Sequence, residues 1–215
     1  MVEYVNYSTP KGPKMFKFYK YSFSSIEIKH LSIALVLITL AMMALRHNEV
    51  FQIGIINFTL IYFFTIGLGF LLHELGHKLV AQHYGFISEF RADFTMMFFA
   101  IIIAWFGFLF LAPGAVMILG RPTRRQNGII SIAGPLVNLT LAIIFILINF
   151  IFHPTGIIAY TVTLGIWINA FLGVFNMLPF WVLDGKKVLA WNKGVYFLVM
   201  GTLLFILFIN FNGIF

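Results

Sequence analysis

Long apolar runs are the feature of this 215-residue sequence that most limits what it can fold into. A run of about 18 or more apolar residues is long enough to cross a bilayer as a helix. Because hydrophobic residues make up 61% of the chain and charged residues only 10%, an ordinary soluble domain is excluded. We predict an all-α multi-pass membrane protein with about five to six transmembrane helices. The runs lie near 31–45, 53–81, 94–118, 128–152, 156–183 and 195–215.

The remaining composition limits the cofactors and partners that the chain can have. It contains no cysteine, which excludes disulfides and thiolate ligands and leaves histidine and carboxylates to hold any metal. The net charge of +7 comes from basic residues scattered in short loops, so we expect no nucleic-acid partner. We predict a cytoplasmic leader over residues 1–30 and a single transmembrane core domain over residues 31–215.

The positions of the basic residues predict how the runs cross the membrane, because cytoplasmic loops are enriched in lysine and arginine. If every run crosses, the fourteen basic residues divide evenly between the two sides. If residues 94–118 enter and leave on one side, thirteen become cytoplasmic and only Arg46 does not. Gly107, Pro113 and Gly114 also interrupt a straight helix there. We therefore predict five full spans, a re-entrant segment near 94–118 and a cytoplasmic N-terminus in the cell membrane.

One motif with a recognisable chemistry lies near the end of the second run, where residues 73–77 read His-Glu-Leu-Gly-His. In a helix, His73 and His77 lie about 40° apart around the axis and roughly 6 Å apart along it, so one face offers two imidazoles to a metal. Two such histidines can bind Zn²⁺, and Glu74 can then take a proton from water that the ion activates. The alternative, hydrogen bonding to other helices, is disfavoured because a carboxylate at membrane depth costs about 2.5–3.5 kcal/mol.

A catalytic zinc site usually has three protein ligands, so this motif needs one more. His83 has the spacing of a longer metalloprotease motif, but that motif requires glycine where this chain has Val80. If the helix continues, His83 points roughly 120° away from His77. Glu89 and Asp93 lie in a polar loop and are first interpreted as solvated charges. These three residues remain weak candidates.

Asp184, at the end of the fifth run, is the stronger candidate for the third ligand. Pro179 and Gly185 flank it with residues that break helices, which would let the carboxylate turn inward. If residues 94–118 are re-entrant, the second and fifth runs end on the same side of the membrane, and Asp184 can reach His73 and His77. The alternative is a helix that stops at Gly185 and leaves Asp184 solvated.

Taken together, these motifs resemble the site-2 protease family, the M50-like intramembrane zinc metalloproteases, and most of all its compact archaeal members. The resemblance extends from about residue 53 to residue 190. Residues 73–77 match the family motif H-E-x-G-H, and residues 176–185 match N-x-x-P-x-x-x-L-D-G. Residues 134–138 also resemble the motif G-P-x-x-N of the intervening helix.

The resemblance implies a metalloprotease core that hydrolyses peptide bonds in or near transmembrane segments, often releasing a membrane-tethered regulator. It assigns one Zn²⁺ per chain to His73, His77 and Asp184, and the role of general base to Glu74. The partners are then a transmembrane protein substrate and the lipid bilayer, with the active site open to the cytoplasm. The family's activity is regulated intramembrane proteolysis.

Three further features have both a functional and a structural interpretation. Asn176 is expected by resemblance to hydrogen-bond the substrate backbone or the oxyanion, or else to pin a broken helix end. Asn138 has the same possible substrate or oxyanion role, although helix packing is slightly favoured. Residues 113–116 resemble a membrane-associated strand of the family that could pair with an unwound substrate, or else form a buried turn.

Two other functions remain open at this point. A membrane zinc transporter, or a metal-binding scaffold, would need polar residues along a path through the bundle, and the runs contain few. A heat-shock-type membrane metallopeptidase would take its third ligand from a glutamate on a later helix, which would make Glu89 more important than Asp184. Alanine substitution at each position distinguishes these functions.

Overall fold

The computed structural model describes residues 13–107 and 114–211. A π-helical turn, Phe63–Gly67, continues the helix Ile55–Tyr62 into the helix Leu68–His83 without a break. The helices are α1 Ser25–Leu45, α2 His47–Ile53, α3 Ile55–Tyr62, α4 Leu68–His83, α5 Phe94–Trp105, α6 Arg124–Phe152, α7 Gly156–Asn176, α8 Asp184–Trp191 and α9 Lys193–Phe211. Two two-stranded antiparallel sheets accompany them: the hairpin of β1 Met15–Phe18 and β2 Tyr21–Ser24, and the pair of β3 Ile87–Ala92 with β4 Gly114–Leu119, which α5 separates in sequence.

Five helical segments are long and apolar enough to cross a membrane, which confirms the prediction of a multi-pass helical protein. They are α1, the continuous helix over residues 55–83, α6, α7 and α9. Many large apolar side chains on their outer faces are exposed, as expected of surfaces that contact lipid rather than water. Among them are Val36, Leu60, Leu147, Phe150, Leu198 and Phe208.

The segment near 94–118 enters and leaves at one level of the structure, as predicted. Strands β3 and β4 pair so that Ala92 lies opposite Gly114, which places the two ends of the intervening segment side by side. Between them, α5 packs along α1, where the Phe94 ring meets the His30 ring at 5.3 Å, and its end reaches α2, where the Trp105 ring stacks on the His47 ring at 6.1 Å. Most of the segment is therefore regular helix and strand. The predicted break at Pro113 lies outside the described residues.

Two helix boundaries differ from the limits of the apolar runs, each for a local reason. Helix α1 begins at Ser25, before its run, because the Ser24 side chain accepts a hydrogen bond from Glu27 N and caps the helix. Helix α7 ends at Asn176, well inside its run, because Pro179 follows and cannot continue the backbone hydrogen bonding. This second boundary frees residues 177–183 to form the loop that leads to Asp184.

Close contact between α4 and α6 holds the centre of the bundle together. Membrane helices lack a strong hydrophobic drive to associate, so small residues at the interface are needed to let them pack closely. A side chain at Gly76 of α4 would lie 3.1 Å from the Ala133 carbonyl oxygen of α6. One buried apolar cluster joins α1, α3, α4 and α7, and another joins α6, α8 and α9. The motif helix α4 therefore lies between two packed layers.

Candidate active site

His73, His77 and Asp184, which come from α4 and from the first residue of α8, meet in one buried cluster. The Nε2 atoms of the two histidines lie 3.0 Å apart. Asp184 Oδ2 lies 3.5 Å from His73 Nε2 and 3.0 Å from His77 Nε2. Within the described part of the chain, these three residues are the group of histidines and acids that could hold a metal ion. They are called the metal cluster below.

The hydrogen bonds behind the two imidazoles suit them for a metal ion. His77 Nδ1 lies 2.8 Å from the Ile130 carbonyl oxygen, which can only accept, so Nδ1 carries the proton. His73 Nδ1 lies 2.6 Å from Asn138 Oδ1. A neutral imidazole protonated at Nδ1 has a bare lone pair at Nε2. Two lone pairs and a carboxylate oxygen at this separation require a proton or a cation between them, and this donor set is one that catalytic Zn²⁺ uses.

Asn138 lies beneath His73 and sets the orientation of its ring. Its side chain is fully buried on α6, and its Nδ2 donates to Gly69 O and to Asn169 Oδ1, both at 3.2 Å. Because Nδ2 has these two acceptors, Oδ1 faces His73. Asn169 is held in turn by its own donation to Gly165 O at 2.9 Å. Asn169 had no signal in the sequence, since a single asparagine in an apolar helix has no characteristic spacing.

Gly134 lets α6 pass directly against the two histidines. A Cβ atom at this position would lie 2.4 Å from His77 Nε2 and 2.6 Å from His73 Nε2. Both distances are too short for real contacts, so any side chain would displace the rings. The resemblance to G-P-x-x-N therefore has a physical basis in two of its positions, Gly134 and Asn138.

The loop after α7 turns Asp184 toward the histidines, and Gly185 allows it to do so. A Cβ atom at Gly185 would lie 1.9 Å from the Met177 carbonyl oxygen, so only glycine lets α8 start this close to the end of α7. Burial alone raises the pKa of Asp184, but whenever these imidazoles carry a proton at Nε2, the attraction of His77 and hydrogen bonds from both rings hold that pKa well below its ordinary value. Asp184 is therefore ionised at neutral pH, as a metal ligand must be.

Glu74 lines a cavity of about 120 Å³ together with the metal cluster. Its carboxylate accepts a hydrogen bond from the backbone of Val116 in β4. Asn176 also lines this cavity, and its Nδ2 donates to Leu172 O at 3.0 Å. Lys187 stands at the cavity as well, with Nζ 3.8 Å from Asp184 Oδ1. The cavity thus combines a metal cluster, a carboxylate and a strand edge.

The edge of β4 borders the cavity, whereas the edge of β3 is closed by side chains. Phe90 N donates to Glu27 Oε1 at 2.9 Å, and Ala92 N donates to His30 Nδ1 at 3.1 Å. Ser88 O accepts from Lys78 Nζ at 2.8 Å. In an antiparallel pair, a residue whose backbone N–H and C=O point away from the partner strand lies opposite a residue whose backbone groups also point away. Their partners Gly114, Val116 and Ile118 therefore direct backbone groups away from β3.

Glu27 and Lys78 form a buried ion pair that the sequence did not indicate. Lys78 Nζ lies 2.8 Å from Glu27 Oε2, and both side chains are almost completely buried. Lys78 Nζ also lies 4.7 Å from the centre of the Phe23 ring. Glu27 and Lys78, with the backbone of β3 that they bind, are called the ion-pair cluster below. It attaches β3 to both α1 and α4.

The weaker candidates for a metal ligand lie away from the metal cluster. Glu89 receives hydrogen bonds from Ser24 and from Arg91, the latter at 2.6 Å. Asp93 caps α5 by accepting from Met96 N at 2.9 Å. His83 Nδ1 lies 3.1 Å from Lys20 Nζ at the end of α4. The structure thus does not bring Glu89 to the histidines, as a heat-shock-type site would require.

Comparison with known proteins places these residues in a wider group. The family described as Peptidase family M50 matches residues 61–157. A protein of Methanocaldococcus jannaschii named "putative zinc metalloprotease" is 40% identical over 162 residues, which cover 71% of this chain and 85% of that protein. A second protein of that organism, named "zinc metalloprotease", is 26% identical over 166 residues, which cover 74% of this chain and 40% of that protein. No solved structure matches the chain significantly.

Proposed function

This chain belongs to peptidase family M50 and is a membrane zinc metallopeptidase, and we propose that it cleaves membrane-tethered proteins within or near a transmembrane segment. The observation that carries this proposal is the position of the cavity. The metal cluster, Glu74 and the edge of β4 surround it, and its histidines lie in a helix that is long enough to span the bilayer. A substrate that already lies in the membrane is the one best placed to reach it.

In the proposed mechanism, His73, His77 and Asp184 would hold the zinc ion, and Asn138 keeps the His73 ring oriented with its Nε2 lone pair toward the other two ligands. When bound, Zn²⁺ supplies Lewis-acid chemistry that acidifies water and polarises a carbonyl group. Glu74 removes a proton from the attacking water and later delivers it to the nitrogen of the cleaved amide, which leaves as an amine. One water is consumed, and a carboxylate and an amine are the products.

We propose that the substrate binds as an extended strand along β4. A transmembrane helix satisfies its own backbone hydrogen bonds, so unwinding it in the membrane leaves polar groups that need new partners. Strand addition to an exposed sheet edge supplies such partners. The outward backbone groups of Gly114 and Ile118 and the carbonyl of Val116 can pair with the peptide, beside the Glu74 carboxylate that accepts from the Val116 backbone. Asn176, which lines the same cavity, is proposed to hydrogen-bond the substrate backbone or the oxyanion.

The proposed orientation puts the N-terminus and the active-site opening in the cytoplasm. Hairpin β1–β2, the end of α4 and the start of α6 carry basic residues, and so does α8. Positive residues concentrate on the cytoplasmic side of membrane proteins. A membrane-tethered regulator released by cleavage would then leave on this side.

The test uses purified protein in nanodiscs and a panel of single-span segments, each flanked by two soluble reporter domains. Mass spectrometry of the products locates the cleaved bond. We expect a cut within or near the span for at least one segment, and no cut with Glu74→Gln, which retains the shape of the side chain. Cleavage confined to the soluble reporters, with every span intact, would contradict the proposal.

A metal measurement tests the ligand assignment separately. We expect about one zinc per chain in the wild type and much less in Asp184→Ala. The matched control is Asp93→Ala, which removes a carboxylate that caps a helix away from the cavity, and it should keep its zinc. Zinc that persists in Asp184→Ala but is lost in Glu89→Ala would move the third ligand to Glu89.

A further inference from the structure

Hairpin β1–β2 lies across the ends of two membrane-spanning helices. At its base, Ser24 caps α1, and Ser25 N donates to Lys14 O at 2.8 Å. At its tip, Lys20 Nζ lies 3.1 Å from His83 Nδ1, in the last residue of α4. Gln82 of α4 accepts a hydrogen bond from Ser22 N at 2.9 Å and donates to Ser22 O at 3.0 Å. Both ends of the hairpin are therefore held where the two helices leave the membrane.

The position of the hairpin places it at the boundary of the bilayer. Helix α1 has 21 residues, so it is about 31 Å long and matches the roughly 30 Å hydrocarbon core. The residues next to Ser25 then lie at the level of the lipid headgroups. A strand of four residues extends only about 13 Å, so the hairpin, tethered at base and tip, stays within or beside that layer.

The aromatic side chains of the hairpin gather on one face. The pairing sets Phe16 opposite Phe23 and Phe18 opposite Tyr21, and directly paired residues share one face of a sheet. Phe23 faces the protein, with its ring 4.7 Å from Lys78 Nζ, and the exposed pair Phe16 and Phe18 is called the aromatic face. The β1 strand is exposed along its whole length, and the side chains of Phe18 and of Tyr19 at the turn are 78% and 88% exposed. Aromatic residues of this kind are concentrated at the interface between membrane and water.

The charges of the hairpin are of one sign. Lys14, Lys17 and Lys20 are all exposed, and residues 13–24 contain no aspartate or glutamate. Two of these lysines lie over aromatic rings of the hairpin, Lys14 over Phe16 and Lys20 over Tyr21, each at 5.5 Å. Basic residues beside a membrane helix are attracted to anionic lipid headgroups. Lys14 and Lys20 thus lie beside the aromatic rings, and Lys17, which pairs with Ser22 and so lies on the other face of the sheet, adds a third exposed charge to the same hairpin.

We propose that hairpin β1–β2 is an anchor for anionic lipid headgroups, with the aromatic face inserted at the bilayer boundary and Lys14 and Lys17 bound to lipid phosphates. The charge distribution favours this occupant over a second copy of the chain, because the exposed basic strand repels another copy of itself. The anchor fastens the end of α4 to the membrane surface through Gln82. It does not depend on the proposed protease substrate.

The experiment exploits the absence of cysteine in the chain, because Phe18→Cys introduces a single thiol for a nitroxide label. The full chain is reconstituted in vesicles of phosphatidylcholine, with or without 30 mol% phosphatidylglycerol. Oxygen and a water-soluble nickel complex then report whether the label contacts lipid or water. We expect the label to gain oxygen contact and lose nickel contact when phosphatidylglycerol is present.

Two matched double variants separate the role of the hairpin lysines from net charge. Lys14→Gln with Lys17→Gln should abolish the phosphatidylglycerol effect, shifting the equilibrium toward the released hairpin by about 25-fold for two lysines. Arg121→Gln with Arg125→Gln removes the same charge from exposed residues outside the hairpin, and it should leave the effect intact. A label at Phe152, which is exposed at the end of α6, should contact lipid in both kinds of vesicle.

Three outcomes would overturn the proposal. A label at residue 18 that contacts water equally in both vesicle types would show that the hairpin does not insert. Equal insertion in both types would show that the anionic headgroup is not required. A label shielded from oxygen and nickel alike would show that protein, rather than lipid, covers the aromatic face.

Discussion

Helix α4 carries two buried polar clusters whose nearest members, His77 and Lys78, are consecutive residues. In the ion-pair cluster, donors and acceptors balance: Lys78 Nζ donates to Glu27 Oε2 and to Ser88 O, both at 2.8 Å. In the metal cluster, two imidazole lone pairs and a carboxylate oxygen face one another. The first cluster is complete within the chain, whereas the second is completed by a cation. The balance of donors and acceptors, rather than burial or charge, separates a structural contact from a reactive site.

The largest expected effect is on cleavage and concerns Glu74, which lies beside the metal cluster on α4. Glu74→Gln keeps the size of the side chain but removes its ability to take a proton, so cleavage should fall by about 10²–10⁴-fold. Because the metal cluster is unchanged, zinc content should stay at the wild-type value. Product formation and bound zinc are measured on the same preparation. Wild-type cleavage by Glu74→Gln would remove the general-base role.

The next effect is on stability and belongs to the ion-pair cluster. Lys78→Met leaves the Glu27 carboxylate buried without its partner, which should lower the free energy of unfolding by about 3–5 kcal/mol. Adding Glu27→Gln removes that charge and keeps an acceptor for Phe90 N, so the double variant should recover most of the loss. Unfolding in mixed micelles with increasing denaturing detergent measures both.

The same variants test whether the two clusters are separable. Folded Lys78→Met protein should keep about one zinc per chain, since no atom of Lys78 belongs to the metal cluster. Loss of zinc from protein that is still folded would show that the two clusters act as one unit, and the contrast between them would fail.

A smaller effect concerns the support of the metal cluster. Asn138→Ala removes the acceptor that holds His73 Nδ1, so zinc affinity should fall by about 10–100-fold in competition with a chelator. Asn138→Asp keeps an acceptor for His73 Nδ1 but loses the donations to Gly69 O and Asn169 Oδ1, so it should restore only part of the affinity. Thr140→Ala, which removes an exposed hydroxyl bonded only within α6, is the control. Unchanged affinity in Asn138→Ala would make this residue a packing residue only.

The smallest effect lies at the edge of the ion-pair cluster. Gln82→Ala removes hydrogen bonds between α4 and Ser22 of β2, and each such bond contributes about 0.5–1.5 kcal/mol. We expect a modest loss of stability with normal zinc content and cleavage. Gln52→Ala, at an exposed position of α2, should be neutral. If cleavage fell as far as in Glu74→Gln, the contact between the hairpin and α4 would have to contribute to catalysis and not only to stability.

Most of the fold and the centre of the site could be predicted from the sequence, because they depend on the length of apolar runs and on the spacing of residues within one helix. The spans follow from the length of apolar runs, and His73 and His77 share a face because they are four residues apart in a helix. Asp184 was predicted as the third ligand by a topological argument. A re-entrant segment 94–118 places the ends of the second and fifth apolar runs on the same side of the membrane. The paired strands at Ala92 and Gly114 confirm that topology.

Contacts between distant residues were decided only by the tertiary structure. Asn138 and His73 are 65 residues apart, and Glu27 and Lys78 are 51 apart. Neither pair has a spacing that a sequence can reveal, because each depends on how two helices cross. The hairpin in the predicted leader and the closed edge of β3 are likewise products of packing. The sequence by itself therefore determined the membrane class and the chemistry, while the orientation of His73 and the exposure of β4 to the cavity required the folded chain.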